Sequence, residues 1–153
     1  MRKIVYTAVA LAAASLLAAC GGGDGRLGEG DLLNRPTTPL AVVSAQQLAQ
    51  ALSATDSGRA LLQLAQAPRC GIRFHKIEYR TVGARDETTN ATGALMLPQG
   101  DDPACKGARP TLLYAHGTTA DRNFDISNPM NSANSGAGEG MILAAFFAAQ
   151  GYR

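Results

Sequence analysis

The residues with the clearest chemical meaning are His116, Gly117 and Thr118, which end an apolar run that begins at Thr111. Strands more often end in Asn, Asp or Pro-Gly turns. An ending of this kind suits acyl transfer, because attack on an ester carbonyl places negative charge on its oxygen. Preorganised backbone N–H groups stabilise that charge, each contributing about 10²–10³ in rate. A His-Gly pair alone is also an ordinary turn, so the surrounding elements decide its interpretation.

Those elements indicate an α/β fold. The run Thr111–Ala115 is apolar on both faces, which predicts a strand covered on both sides of a sheet. Before it, one segment from Gly71 and another over Thr92–Leu97 predict a hairpin, with an irregularity near His75. His75 itself is expected at the surface or at a sheet edge. After the run, Gly140–Gly151 predicts a helix that ends at a glycine.

Two short helices are predicted before the hairpin. Ser44 is a candidate N-cap with Gln47 as its reciprocal partner, and Asp56 is a second candidate N-cap. Pro68 ends the second helix. The glycine-rich segment Gly21–Pro39 precedes both helices and predicts a flexible tether.

The N-terminus has the pattern of an export signal. Arg2 and Lys3 form a positive start, and an apolar stretch leads to L-A-A-C, which ends at Cys20. This ending resembles the bacterial lipobox, which implies cleavage before Cys20 and a diacylglycerol on its sulfur. An ordinary secretory signal or an uncleaved anchor remains an alternative. The expected location is the bacterial cell envelope, with the protein held on the lipid membrane. The outer membrane is favoured, because Gly21 is not the aspartate that retains many lipoproteins in the inner membrane.

Charge and cysteine content narrow the possible partners. The two residues of the positive start account for the formal net charge of +2, so no basic patch favours nucleic acid. In an oxidising compartment, Cys70 and Cys105 form an even pair beside the lipidated Cys20, which predicts a disulfide; two buried free thiols are the alternative.

No C-x-x-C or H-x-x-x-H spacing occurs, so no metal site and no cofactor is expected. The run Gly136–Gly140 lacks the spacing of a phosphate-binding loop.

Three stretches resemble the N-terminal part of an α/β-hydrolase, in the exported lipase and esterase branch of that superfamily. They are T-G-A-L-M-L-P, R-P-T-L-L-Y-A-H-G-T-T and A-A-F-F-A-A-Q-G-Y, between Cys70 and Arg153. The resemblance implies that the backbone amide of Thr118 is an oxyanion-hole donor. It implies that Gly117 permits close approach of substrate, and that His116 supports the loop without acting as the catalytic base. The expected substrate is a small-molecule or lipid ester.

The same resemblance implies that the catalytic groups lie elsewhere. No G-x-S-x-G occurs, since Ser132 and Ser135 lack the first glycine at the required offset. The nucleophile, acid and base of the family are expected beyond Arg153, so the chain alone is expected to be inactive. The loop Thr119–Glu139 is unusually long and is expected to cover or line the site entrance.

The expected organisation follows. Residues 1–19 are a lipoprotein signal peptide, residues 20–43 a lipid-anchored flexible tether, and residues 44–153 an incomplete α/β-hydrolase domain truncated before the fourth strand. Two alternatives stay open: a non-catalytic surface lipoprotein that reuses the hydrolase start as a binding module, and a fragment of a hydrolase-fold peptidase.

Overall fold

The computed structural model describes residues 27–153, so the signal sequence and Cys20 lie outside the described residues. Among the described residues, no helix is long and apolar enough to cross a bilayer. The elements, in chain order, are β1 (Pro39–Val43), α1 (Ala45–Ser53), α2 (Asp56–Ala65), β2 (Gly71–Val82), β3 (Thr88–Gln99) and α3 (Ala137–Phe146). Short 3₁₀ turns occur at Pro103–Cys105 and Ala148–Gln150.

The sheet is antiparallel, in the order β1-β2-β3. The predicted hairpin is confirmed, and its register is unbroken from the Gly71–Gln99 pair to the Val82–Thr88 pair. The irregularity expected near His75 lies in the other ladder, where the register shifts across Leu40 of β1. The hairpin is therefore regular, and the bulge belongs to a strand that was not predicted.

The core lies where the helices cover the first half of β2. Leu48 and Leu52 of α1 and Ile72 and Phe74 of β2 are buried in one apolar cluster. Alanines complete this cluster: Ala144 and Ala145 of α3, and Ala148 and Ala149 of the following turn. Small side chains there let the end of α3 and the turn after it approach the sheet closely. The helix predicted over Gly140–Gly151 spans Ala137–Phe146 instead, and Gly151, with φ 100°, ends the 3₁₀ turn that follows.

Each of the two N-terminal helices begins after a residue whose side chain caps it. Ser44 and Gln47 form the predicted reciprocal cap, with Ser44 N–H donating to Gln47 Oε1 (2.9 Å) and Gln47 N–H to Ser44 Oγ (3.1 Å). The cap of α2 is Thr55, whose Oγ1 accepts from Gly58 N–H (3.0 Å), and not Asp56 as predicted. Asp56 is the first helical residue instead, where its negative charge faces the positive end of the helix.

The predicted tether does not extend to residue 43. Leu32 forms a β-bridge with Tyr79, and the N–H groups of Gly30 and Leu33 donate to carbonyls of β2 (2.8 and 2.7 Å). The chain then continues into β1. The prediction of a flexible tether is therefore wrong for this part, because backbone pairing with β2 holds it and Val43 at its end is buried in the core.

His75 is buried, with 6% of its surface exposed, so the prediction of a surface or edge position is wrong. β1 pairs with this part of β2, and the hydroxyl of Thr37 lies 3.0 Å from His75 Nδ1. The unpredicted strand is thus what removes His75 from the surface.

The segment Thr111–Ala115 is extended, but it is not the buried central strand that its sequence predicts. It joins no ladder, and 93% of the Leu113 surface is exposed. Arg153 N–H donates to Pro110 C=O (3.0 Å), and Leu112 N–H donates to Arg153 C=O (2.7 Å). These two bonds have the slanted pattern of a parallel pair. The segment therefore has strand geometry, but within the described chain it lacks the neighbours that would bury it.

The predicted disulfide is confirmed between Cys70 and Cys105, with a Cα–Cα distance of 5.6 Å. Both cysteines are buried. An ion pair between Arg69 and Asp102 (2.8 Å) lies beside it, and the N–H of Ala104 together with the Arg69 guanidinium lowers the pKa of Asp102. These contacts attach the loop after β3 to the start of β2, and so fix where the extended segment begins.

Candidate functional site

The three predicted loop residues, His116, Gly117 and Thr118, lie at the end of the extended segment. They are next to an open cleft of about 570 Å³ between that segment, the hairpin and the following loop. Its walls are mainly apolar and are formed by Ile77, Tyr79, Thr92–Ala94, Leu113–His116 and Phe124–Ile126. The site is thus a loop end beside an apolar cleft.

The orientation of the Thr118 N–H is set by one contact. His116 Nδ1 lies 2.6 Å from the Gly117 carbonyl oxygen, and this oxygen can only accept, so Nδ1 carries the hydrogen. The Gly117 carbonyl and the Thr118 N–H belong to one planar peptide unit, and the only cis bond among the described residues is Arg35–Pro36. In a trans unit these two groups point in opposite directions. The contact therefore turns the Thr118 N–H away from the His116 ring.

The Thr118 N–H is free to bind another molecule. Thr118 is exposed, and its N–H makes no hydrogen bond to any residue within 27–153. A backbone donor with a fixed direction and no internal acceptor is what an oxyanion hole requires. Its catalytic role stays a prediction.

The observed backbone conformation does not require a glycine at position 117. Its φ is outside the left-handed region, and a Cβ built on it would meet no atom within 4 Å. The backbone conformation at this position is therefore open to other residues. The remaining reasons for glycine are close approach by a bound molecule and the conformational freedom of the peptide units beside it.

The surroundings of His116 fit a supporting role. Its ring lies against the ring of Phe124, with centroids 4.7 Å apart and planes inclined by 41°. Within residues 27–153, the one hydrogen bond of its side chain is to the Gly117 carbonyl. It is not paired with a hydroxyl or a carboxylate, as a catalytic base would be.

The long loop after Thr118 is ordered by two residues that the sequence analysis did not single out, Asp125 and Asn134. The Asn134 side chain accepts from the N–H groups of Asp125 (3.0 Å) and Gly136 (2.7 Å) and donates to the carbonyl of Asn128 (3.0 Å). Residues 124–126 of the loop line the cleft, and side-chain-to-backbone bonds hold the loop. The recurrence of Asn, Asp and Ser in the loop was the available signal, since these residues form such bonds readily.

Asp125 connects this loop to the hairpin. Its carboxylate accepts from the hydroxyl (2.5 Å) and the N–H (2.9 Å) of Ser127, and Lys76 Nζ of β2 lies 3.3 Å away. Partial burial alone would raise the pKa of Asp125, but the Ser127 hydrogen bonds and the Lys76 charge outweigh it and hold the pKa below 3.8. The carboxylate is therefore ionised at neutral pH.

A second contact holds the extended segment itself. The hydroxyl of Tyr114 donates to Glu139 Oε1 of α3 (2.6 Å). This hydrogen bond to the carboxylate raises the pKa of Tyr114. The contact therefore ties the strand-like segment to the first turn of the helix that follows it.

No catalytic triad is formed by residues 27–153. The hydroxyl of Ser127 is buried and bonded to Asp125, with no histidine beside it. Thr37 and His75 are within hydrogen-bond distance, but His75 Nε2 has no partner within the described chain, so no third group orients the imidazole. The described residues also contain no group of three or more His, Cys, Asp or Glu side chains placed to hold a metal ion.

Comparison with known proteins gives matches among solved structures. No protein-family model matches the chain, and no curated protein matches it. The rice cell wall degrading esterase LipA from Xanthomonas oryzae matches with a TM-score of 0.58 and 25% identity, over 81% of this chain and 27% of that chain. Its N228W mutant gives the same TM-score and identity over 82% of this chain. A ligand-bound form gives 0.58 and 24% identity.

The match includes most of this chain but only a part of LipA: the chain spans 28% of the length of the N228W mutant structure. The hairpin, the strand-like segment with its partial parallel pairing and the following helix are features of a partial α/β fold. The resemblance in the sequence is therefore confirmed: the chain is similar in structure to an esterase of the α/β-hydrolase class, and its own elements are consistent with part of that fold.

Proposed function

We propose that this chain is the N-terminal part of an exported serine carboxylic-ester hydrolase of the lipase and esterase type. In this proposal it supplies one oxyanion-hole donor, the backbone N–H of Thr118, with Gly117 and His116 as loop support. The observation that carries the proposal is the free Thr118 N–H, oriented by the contact between His116 and the Gly117 carbonyl. In α/β-hydrolases one donor follows the nucleophile and the other lies in the loop after the third strand.

The backbone pairing around Thr111 supports this assignment. The two backbone bonds of Arg153, one donated to Pro110 and one accepted from Leu112, pair the residue that follows the helix with the start of the extended segment in the pattern of parallel strands. Parallel strands joined by a helix belong to sheets that bind ligands at the carboxyl ends of their strands. Thr118 follows that end of the segment, so a ligand at this edge would meet its N–H.

The cleft supports a small-molecule or lipid ester as the substrate class. Its volume of about 570 Å³ is within the usual range for small-molecule sites. Ile77, Leu113 and Ile126 offer apolar contacts for a hydrocarbon part of the substrate. The cleft is lined up to His116, two residues before Thr118, so an ester whose hydrocarbon part lies in the cleft would have its carbonyl near this loop.

Export and lipid anchoring are part of the same proposal. They rest on L-A-A-C before Cys20, and a buried disulfide between Cys70 and Cys105 is compatible with an oxidising compartment. In a bacterial host, the wild-type protein should partition into the detergent phase of a cell extract. Cys20→Ala should be unprocessed or released, and wild-type protein in the aqueous phase would contradict the anchor.

The catalytic part of the proposal is tested with the purified chain and with its gene. The 153-residue chain should not hydrolyse a p-nitrophenyl ester, because no nucleophile with its base is formed by the described residues. Turnover that a serine-directed inhibitor abolishes would refute this. The DNA after the Arg153 codon should continue with a strand and a G-x-S-x-G sequence. A stop codon there, with a cooperatively folding product, would favour a non-catalytic binding lipoprotein.

A further inference from the structure

The ring of His116 controls the direction of the Thr118 N–H, and that ring is itself held by a neighbour attached to the hairpin. We propose that Phe124 is a positioning residue for this donor, and that the contact between Lys76 and Asp125 fixes Phe124 in place. The inference rests on the proposed function, since the donor matters for catalysis only if the Thr118 N–H binds an oxyanion.

The first step is the contact between the rings. His116 is exposed, and Phe124 packs against it with a centroid distance of 4.7 Å, within the usual range for interacting aromatic pairs. An exposed side chain without such a contact samples several rotamers. Phe124 thus selects the rotamer of His116 in which Nδ1 reaches the Gly117 carbonyl.

The second step is the attachment of Phe124. The next residue, Asp125, is held at its backbone N–H by Asn134 (3.0 Å) and at its carboxylate by Ser127 and Lys76 (2.5 and 3.3 Å). Lys76 lies in the unbroken ladder between β2 and β3. The loop position next to Phe124 is therefore tied to the regular part of the sheet.

The third step explains why the loop needs a restraint. Gly117 has open space around it and no strained φ, so its own geometry does not select one orientation of the peptide unit that it shares with Thr118. A glycine permits that unit to rotate at little cost. Rotation would turn the N–H away, whereas a useful oxyanion donor is already oriented before the reaction. The contacts of Phe124 and His116 therefore restrain the orientation of the Gly117–Thr118 peptide unit, which Gly117 itself does not restrain.

The experiment measures NMR chemical shifts of loop residues in the full chain. Only two histidines occur, so His75, which is buried against β1, is an internal reference for His116. Phe124→Leu removes the ring but keeps apolar bulk, and should shift the His116 ring protons and the Thr118 amide while His75 stays unchanged. Phe124→Tyr keeps the ring and should leave all three near the wild-type positions. The matched control is Phe147→Leu, whose ring contacts Phe146 and Tyr152 and not His116.

The inference is overturned if Phe124→Leu leaves the His116 and Thr118 signals unchanged, or if Phe124→Tyr shifts them as strongly. If Phe124→Leu also shifts the His75 signals, the substitution has changed the fold. The Lys76→Met variant is then the deciding test of the inference. It breaks the attachment from the side of β2 and should shift the same two signals in the same direction by a smaller amount; no shift would overturn the inference. None of these readouts needs ester turnover, so a failed oxyanion role for Thr118 would be detected separately.

Discussion

The hairpin and the segment Thr111–Ala115 are both apolar and extended, yet they are in opposite states. Phe74 in β2 is fully buried, with backbone pairing on both sides of its strand, while Leu113 is exposed over 93% of its surface. The hairpin finds its partners in β1, β3 and the helices. Within residues 27–153, the backbone of the segment pairs only with Arg153, through two bonds, and its Tyr114 side chain contacts Glu139. The comparison teaches that an apolar run becomes a buried strand only where its neighbours are present.

The disulfide joins the two regions, and its loss is expected to have the largest effect on stability. It links residues 35 apart in the sequence, and for a loop of that size the chain-entropy model gives about 4 kcal/mol. Reduction, or the double substitution of Cys70 and Cys105 by serine, should lower the free energy of unfolding by this order. Urea unfolding with and without reductant measures it. A change below about 1 kcal/mol would contradict the expected constraint on the unfolded chain.

A matched pair of leucines compares the two regions directly. Leu48 has no exposed surface and Leu113 is almost fully exposed. Leu48→Ala should therefore cost about 2–5 kcal/mol in the free energy of unfolding. Leu113→Ala should change it by no more than about 0.5 kcal/mol. Equal losses for the two variants would mean that Leu113 is buried in solution and that the comparison is wrong.

The smallest effect is expected from acid titration of the contact between the regions. The pKa of Asp125 is lowered in the folded chain, so Asp125 stabilises the fold above the unfolded value of 3.8, and this contribution is lost as the pH falls through the folded pKa. The urea midpoint of Asp125→Asn should therefore fall less than that of the wild type as the pH drops below 3.8. Asp102, whose pKa is also lowered, leaves part of the acid sensitivity in both proteins. Parallel pH profiles would show that Asp125 does not contribute.

The sequence predicted those elements whose partners are close along the chain. The cap at Ser44, the hairpin and the glycine at Gly151 depend on local chemistry or on a short loop, and all are confirmed. The disulfide, also confirmed, joins residues 35 apart and was predicted because Cys70 and Cys105 are the pair left beside Cys20. β1 was missed because Pro39–Val43 follows a glycine-rich stretch, and its pairing is visible only from β2.

The candidate site was predicted only in part, for a related reason. The resemblance to the hydrolases pointed to His116, Gly117 and Thr118, and their catalytic role stays a prediction. The residues that hold them, Phe124 and Asp125, act through a ring contact and an ion pair that no spacing reveals. Positioning residues of this kind are recognised once the loop is seen against the hairpin.

The central claim, that the Thr118 N–H is an oxyanion donor, is tested most directly in the complete enzyme of which we propose this chain to be the N-terminal part. Thr118→Pro removes the N–H and should lower kcat by about 10²–10³, with a smaller effect on KM, since the charge exists only in the transition state. Thr118→Ala keeps the N–H and is the matched control, expected to lose less than about tenfold. An unchanged Tm excludes gross distortion by the proline, which also restricts Gly117. A folded Thr118→Pro enzyme with kcat within about threefold of the wild type would contradict the claim.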